Sequence, residues 1–250
     1  MRISLAQALT AAIAITTTWS YAATPIQAAE SAVCQLESPN QIQKNLNDNR
    51  QNLKDDLRIR KELLKNIIDC ARTQNEMLKK EVEDLAVTDP EIKQIQKNIT
   101  TDLQRNNEFY RLQKEKVEGL GLYGTKELAR TLKQWREANY VATSKIANNL
   151  ILWHQNQSLF SAAQKRFELI EQTVRALNSI NNQDIQDVFS ETQELFEQAQ
   201  KENSQARAKL IQSTDPDETV DIMRKSLKVL AQTYRKFLDV GDAIKTVIPQ

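Results

Sequence analysis

Glycine and proline are almost absent from the long middle of this chain, and their absence limits the fold more than any other feature. The stretches 91–118 and 125–215 contain neither residue. Both stretches are rich in Gln, Lys, Glu, Leu, Ala and Arg, which lose little conformational freedom in a helix. No run alternates β-branched and polar residues as a strand would. The sequence therefore predicts an all-α, elongated helical bundle with coiled-coil-like long helices.

Three prolines mark predicted helix starts, because each follows a residue that can cap a helix. The pairs are Ser38-Pro39, Asp89-Pro90 and Asp215-Pro216. A hydroxyl or carboxylate accepts from the free backbone N–H groups of the first turn, and proline has no N–H there to lose. With softer boundaries at the glycines and at residues 178–182, this predicts helices near 39–87, 90–118, 125–178, 183–213 and 216–240. A break at residues 154–158 would shorten the third.

Apolar residues recur at intervals of three and four in the predicted helices, which indicates one buried stripe on each. In the first helix they include Leu53, Leu57, Leu64, Ile67, Ala71, Leu78 and Leu85. In the third they are Leu128, Leu132, Trp135, Ala142, Ile146, Leu150, Trp153, Phe160, Phe167, Ile170, Val174 and Leu177. The aromatic members of this stripe are predicted to be core residues and not a ligand site.

The N-terminus has the order of residues found in a secretory signal peptide. Arg2 precedes an apolar stretch, and small residues follow. Cleavage after Ala28 fits the preference of signal peptidase for small residues, and Ala22 is a second candidate position. The alternative is an uncleaved membrane anchor, since residues 3–23 are nearly long enough to span a bilayer. We expect a signal peptide at 1–28, one helical domain at 29–250, and an exported protein, periplasmic or secreted.

The charge balance of residues 29–250 limits the possible partners. The chain has 34 Lys and Arg and 33 Asp and Glu, and loss of Arg2 leaves 33 of each. Nucleic-acid binding needs an excess of basic surface, so nucleic acid is not an expected partner. No second apolar stretch of membrane length follows residue 28. We therefore expect no integral membrane segment in the mature chain, and partners that are proteins, with a homo-oligomer possible.

Three glycines lie in the stretch VEGLGLYGTK, at the G-x-G-x-x-G spacing of a dinucleotide-binding loop. Such a loop must follow a strand and open a helix. Here a charged helical segment precedes it, so we interpret it as a helix–helix connection. Gly119 is expected to end one helix in a left-handed conformation, and Thr125 to cap the next.

Leu120, Leu122 and Tyr123 are apolar residues at the tip of the predicted helical hairpin. They are expected to fold under and cover the end of the core. The alternative is that they contact a partner or a membrane, as exposed apolar loop residues do.

The sequence offers little for catalysis. His154 is the only histidine, and no carboxylate stands one helical turn away to share a metal. With one histidine, neither a Ser–His nor a Cys–His pair is indicated. Acidic residues alternate with Lys and Arg, as on a solvated face. We predict that the protein is not an enzyme and has no catalytic, metal or cofactor site.

Cys34 and Cys70 are an even pair in a chain expected to be exported, so a disulfide between them is predicted. The bond cannot close if residues 39–70 form one straight helix, because bridged Cα atoms lie within about 7 Å. It can close if the chain reverses among the asparagines of residues 45–52. Otherwise the two cysteines bond elsewhere.

Three function classes fit these observations. The first is an exported, non-enzymatic scaffold or adaptor that acts by protein–protein interaction. The second is a membrane-active helical protein of the pore-forming or adhesin type, for which the apolar tip is the support. The third is a small-ligand-binding bundle, since a bundle core can hold a ligand.

Overall fold

A computed structural model describes residues 53–177, 183–212 and 215–247. The predicted signal peptide, the helix start at Ser38-Pro39, the chain reversal at 45–52 and Cys34 lie outside the described residues.

Six α-helices account for nearly all of the described chain. They are α1 (Leu53–Glu83), α2 (Pro90–Lys116), α3 (Leu122–Trp135), α4 (Val141–Leu177), α5 (Gln183–Gln212) and α6 (Pro216–Val247). A 3₁₀ turn, Val117–Gly119, follows α2, and a π-helical turn, Arg136–Tyr140, joins α3 to α4. None of these residues lies in a strand. The all-α bundle predicted from the sequence is confirmed.

Two of the predicted helix starts have the expected caps. Asp89 Oδ1 accepts from the backbone N–H groups of Glu91 and Ile92 at 3.0 and 3.4 Å. Asp215 Oδ1 accepts at 3.0 Å from the backbone N–H groups of Asp217 and Glu218. Each cap satisfies donors that have no partner inside the helix.

The helix ends differ from the predicted ones. The first helix ends at Glu83 and not at 87, and the last continues past Gly241 to Val247. A glycine inside a helix costs about 1 kcal/mol relative to alanine. Val240 and Ile244 are buried on either side of Gly241, and burial of their side chains outweighs that cost.

The glycine stretch joins two helices as predicted, but its conformation is not the predicted one. None of the four glycines has φ in the left-handed region. Gly121 is the N-cap of α3, with φ −92° and ψ −175°. Thr125 lies inside α3, where its hydroxyl donates to the carbonyl of Leu122 at 2.8 Å. The expectation of a left-handed Gly119 and a Thr125 cap is therefore wrong, because the 3₁₀ turn reverses the chain without either.

The π-helical turn interrupts the apolar stripe predicted for the third helix. Residues 122–177 follow one continuous helical path, about 84 Å long at 1.5 Å per residue. A π turn holds an extra residue and so changes which side chains face the core. Ala142 of the predicted stripe is exposed, whereas Tyr140 and Ala147 are buried.

The remaining predicted stripe residues are buried or half-buried in the third helix. In the first helix, Leu64, Ala71 and Leu78 are buried. Leu53, at the beginning of α1, is 71% exposed. The periodic pattern thus located part of the core on these two helices, and it failed at the helix end and at the π turn.

The long helical path is shared by two three-helix bundles. In the N-terminal bundle, α1, α2 and α3 enclose a core of Leu64, Ile68, Ala71, Tyr110, Val117, Leu128 and Leu132. In the C-terminal bundle, the second half of α4 packs with α5 and α6 around Phe160, Ala163, Phe196, Ala199, Val229, Leu230 and Phe237. A central core joins them, with residues from α1, α2, α4, α5 and α6.

Hydrogen bonds and ion pairs connect the helices of the two bundles near the central core. Arg207 of α5 donates to Asp89 Oδ2 at 2.6 and 2.8 Å and to Glu91 Oε2 at 2.7 Å. Asn149 Nδ2 of α4 donates to the carbonyl of Pro216 at 2.7 Å. Among the helices of the described ranges, none combines the length and the apolar character needed to span a bilayer.

Candidate functional site

A groove runs between α1 and α3 in the N-terminal bundle. Its volume is about 450 Å³, and its apolar lining includes Leu64, Ile67, Ala71 and Leu132. Cys70 of α1 and Ala129 of α3 stand on its opposite walls. The groove lies where α1 packs beside α3 and the π-helical turn that continues α3. We call this surface the α1–α3 groove.

The π-helical turn places a cation at one end of the α1–α3 groove. Arg136 Nη1 donates to Gln74 Oε1 of α1 at 3.1 Å, and its guanidinium carbon lies 4.6 Å from the centroid of the Tyr140 ring. Lys133 adds a second positive charge on the same wall. Burial raises the pKa of Tyr110 in the groove lining, and the nearby Arg136 opposes that rise.

A pair of stacked aromatic rings packs next to the π-helical turn. The rings of Phe109 and Trp135 stack with centroids 3.9 Å apart and planes 7° apart. Trp135 Nε1 donates to the side-chain oxygen of Asn106 at 3.0 Å. Asn106 is 2% exposed, so this bond satisfies an acceptor that is shielded from water. The pair therefore holds Trp135, and with it the neighbouring Arg136, in a defined orientation.

The three tip residues predicted from the sequence do not act as one surface. Leu120 packs against the core of the N-terminal bundle, and Leu122 is half-buried. Tyr123 points outward and is 77% exposed. Leu120 therefore covers the end of the core as expected, whereas Tyr123 does not.

Ionic contacts hold this tip against α1. Lys61 Nζ donates to the backbone carbonyl of Glu118 at 2.5 Å. Lys65 pairs with the carboxylate of Glu118, and this hydrogen bond lowers the pKa of Glu118.

Of the two cysteines predicted to pair, only Cys70 is within the described residues. It lies in the middle of α1, half-buried, on the wall of the α1–α3 groove. Cys34 lies outside the described ranges, so the disulfide remains a prediction.

A second surface lies on the C-terminal bundle, between the parallel helices α4 and α6. The guanidinium of Arg166 lies 5.9 Å from the centroid of the Tyr234 ring. Leu169 stands one turn beyond Arg166, and Leu238 one turn beyond Tyr234. These leucines are 65% and 48% exposed. We call these four residues the Leu169–Leu238 face.

No set of reactive groups comes together in the part of the chain that the structure describes. His154 is half-buried on α4, and no group of three His, Cys, Asp or Glu residues within the described ranges could hold a metal ion. The two surfaces present apolar side chains with cations beside them. Exposed apolar patches of this kind are typical of interaction surfaces.

Sequence reasoning missed the π turn, the α1–α3 groove and the Leu169–Leu238 face. Leu169 and Leu238 do not belong to the apolar stripes of their helices. An apolar residue outside the stripe was the feature of the sequence that could have indicated the Leu169–Leu238 face. Comparisons of the chain with protein-family models, with curated proteins and with solved structures found no match.

Proposed function

We propose that the protein is an exported, non-enzymatic helical scaffold that binds another protein through the Leu169–Leu238 face. The observation that carries the proposal is the exposure of two leucines, one on each of the two helices joined by the Arg166–Tyr234 contact. A water-exposed leucine gains roughly 1.5–3 kcal/mol on full burial. Arg and Tyr are enriched at the centres of protein interfaces.

The long shared helix supports a scaffold role. Residues 122–177 connect the two bundles without a flexible linker, so surfaces on the two bundles keep a constant separation. A scaffold needs such fixed spacing between its contacts.

The alternative classes have less support. A membrane-active tip would need several exposed apolar residues, and of Leu120, Leu122 and Tyr123 only Tyr123 is fully exposed. A ligand-binding bundle would need polar groups converging on an enclosed cavity. The α1–α3 groove is an open surface with its polar groups at one end.

Site-specific cross-linking in the producing cells tests the proposed interface. A photoreactive residue at position 169 should capture one defined protein, identified by mass spectrometry. Leu238→Glu should abolish the cross-link, because it places a carboxylate on the same face. Leu112→Glu is the matched control, since Leu112 is 42% exposed on α2 of the other bundle, and it should leave the cross-link unchanged.

Equal cross-linking in the wild type and both variants would overturn the proposed face. Leakage of dye from vesicles on addition of the protein would favour the membrane-active alternative.

Export is tested separately. Protein recovered outside the cytoplasm should begin at Ala29 or within a few residues of it, as read by N-terminal sequencing. A chain that retains Met1 in the cytoplasmic fraction would contradict export.

A further inference from the structure

We propose that residues 29–52 of this chain occupy the α1–α3 groove, held there by a disulfide between Cys34 and Cys70. The surface is thus an intramolecular docking site for the segment between the predicted cleavage position and α1. The inference shares with the proposed function only the expectation of export, and it concerns the opposite bundle.

The position of Cys70 carries the first step. Its half-buried side chain lies on the groove wall, so any chain bonded to it must enter the groove. Cys70 is 17 residues into α1, about 26 Å from the helix start at 1.5 Å per residue. Residues 34–52 extend to roughly 60 Å at most. The segment is therefore long enough to return along α1 to Cys70.

The composition of the segment matches the groove. Its large apolar residues, Val33, Leu36, Ile42 and Leu46, are spread along its length, and the groove offers the half-buried Ile67 above the buried Leu64 and Leu132. An amphipathic segment that packs into an apolar groove buries both surfaces from water.

The charges also match. Glu30 and Glu37 lie on either side of Cys34. Lys133 and Arg136 lie on the α3 wall, across the groove from Cys70. When the cysteines are joined, the two acidic residues come close to the two basic ones, and opposite charges at such short range attract.

The shape of the N-terminal bundle leaves room for the segment. One side of α1 beside the groove is only partly covered, with Leu63, Ile67 and Cys70 half-buried. A returning segment would cover this side and complete the packing around α1.

The bond forms by oxidation. The thiols of Cys34 and Cys70 lose two protons and two electrons to a disulfide oxidant. With oxidised glutathione in the test, the oxidant is reduced to two molecules of glutathione thiol. An exported protein meets such oxidants, whereas the cytosol keeps thiols reduced.

Photo-cross-linking within the exported protein, purified without reductant, tests where the segment lies. A photoreactive residue at Ala129, on the groove wall, should form cross-links within one chain to peptides from residues 35–46. The same residue at Ala138, which is exposed on the π turn away from the groove lining, is the control. It should form at least tenfold fewer such cross-links.

Trypsin digestion gives an independent readout through Lys44 and Arg50. In the oxidised wild type, cleavage at these two residues should be at least tenfold slower than in Cys34→Ser. Ile67→Glu should remove most of this protection, because it places a carboxylate on the groove wall. Met77→Glu should retain it, since Met77 is an exposed residue of the same helix.

Three results would overturn the proposal. One is a Cys34–Cys34 bond between two chains, seen by mass spectrometry of the unreduced digest. Another is equal cross-linking from positions 129 and 138. The third is unchanged protection in Ile67→Glu with an intact disulfide. None of them would affect the Leu169–Leu238 face, so failure here is distinct from failure of the proposed function.

Discussion

The two bundles share one helix but close their cores in different ways. In the C-terminal bundle, α5 and α6 have 30 and 32 residues and pack along their lengths around stacked phenylalanines. In the N-terminal bundle, α3 passes into a π turn, and the buried Asn106 accepts a hydrogen bond from Trp135. Three long helices close the phenylalanine core of the C-terminal bundle, whereas a groove stays open between α1 and α3 in the N-terminal bundle.

The largest expected effect tests the apolar closure of the C-terminal bundle. Phe196 is 2% exposed, and its ring centroid lies 5.3 Å from that of Phe167 and 6.5 Å from that of Phe237. Phe196→Ala should lower the free energy of unfolding by about 3–5 kcal/mol, because it removes a side chain that joins all three helices. Chemical denaturation followed by circular dichroism measures this. A loss below about 1 kcal/mol would mean that the core is looser than its contacts indicate.

A pair of tryptophan substitutions tests the buried hydrogen bond beside the π turn. Trp135→Phe leaves the buried oxygen of Asn106 without its donor, which should cost about 1–3 kcal/mol beyond the loss of ring volume. Trp153→Phe is the matched control. Trp153 is also largely buried, and its Nε1 has no hydrogen-bond partner among the described residues. Equal losses of stability in the two variants would contradict a role for the Trp135–Asn106 bond.

Two glycines at the beginning of α3 are expected to differ in their tolerance of a larger side chain. A Cβ on Gly124 would lie 3.1 Å from Leu120 Cδ2, whereas one on Gly121 would meet nothing within 4 Å. Gly124→Val should cost about 1–3 kcal/mol through overpacking against Leu120. Gly121→Ala should cost less, at most about 1 kcal/mol, since φ there is negative and the loss is limited to the preference of an N-cap for glycine over alanine. Thermal melts of both variants provide the comparison, and the reverse order would contradict this packing.

The smallest effect concerns the contact between the two bundles. The hydrogen bond from Arg207 holds the pKa of Asp89 below its usual range. A lowered carboxyl pKa stabilises the fold above the unfolded-state pKa, and this contribution is lost as pH falls through the folded-state value. Arg207→Ala should therefore lower the melting temperature at pH 7. The difference from wild type should shrink below about pH 4, where aspartate protonates.

Arg224→Ala is the control for this measurement. Arg224 pairs with Asp221 on an exposed surface, and such pairs contribute little to stability. Its melting temperature should follow that of wild type across the same pH range. A pH-independent difference for Arg207→Ala would show that the Arg207 stem, and not its charge, stabilises the joint.

Local sequence rules succeeded at two helix starts, although they failed at Gly119 and Thr125. The Asp89 and Asp215 caps and the helices that follow them depend on side chains within one turn of each other. Apolar periodicity located Leu64, Leu150, Trp153 and Phe160 in the core for the same reason. At Gly241 the local rule failed, because the buried neighbours Val240 and Ile244 outweigh the preference of one glycine.

The sequence by itself determined that this chain is helical, where two of its long helices begin, and part of its core on two helices. Only the tertiary structure decided which helices meet, that a π turn changes the buried face after Trp135, and that α3 leaves a groove beside Cys70. The physical reason is the distance along the sequence over which each interaction acts. Helix propensity and capping act within about four residues. Groove, face and inter-bundle contacts instead depend on residues tens of positions apart, such as Gln74 with Arg136 and Asp89 with Arg207.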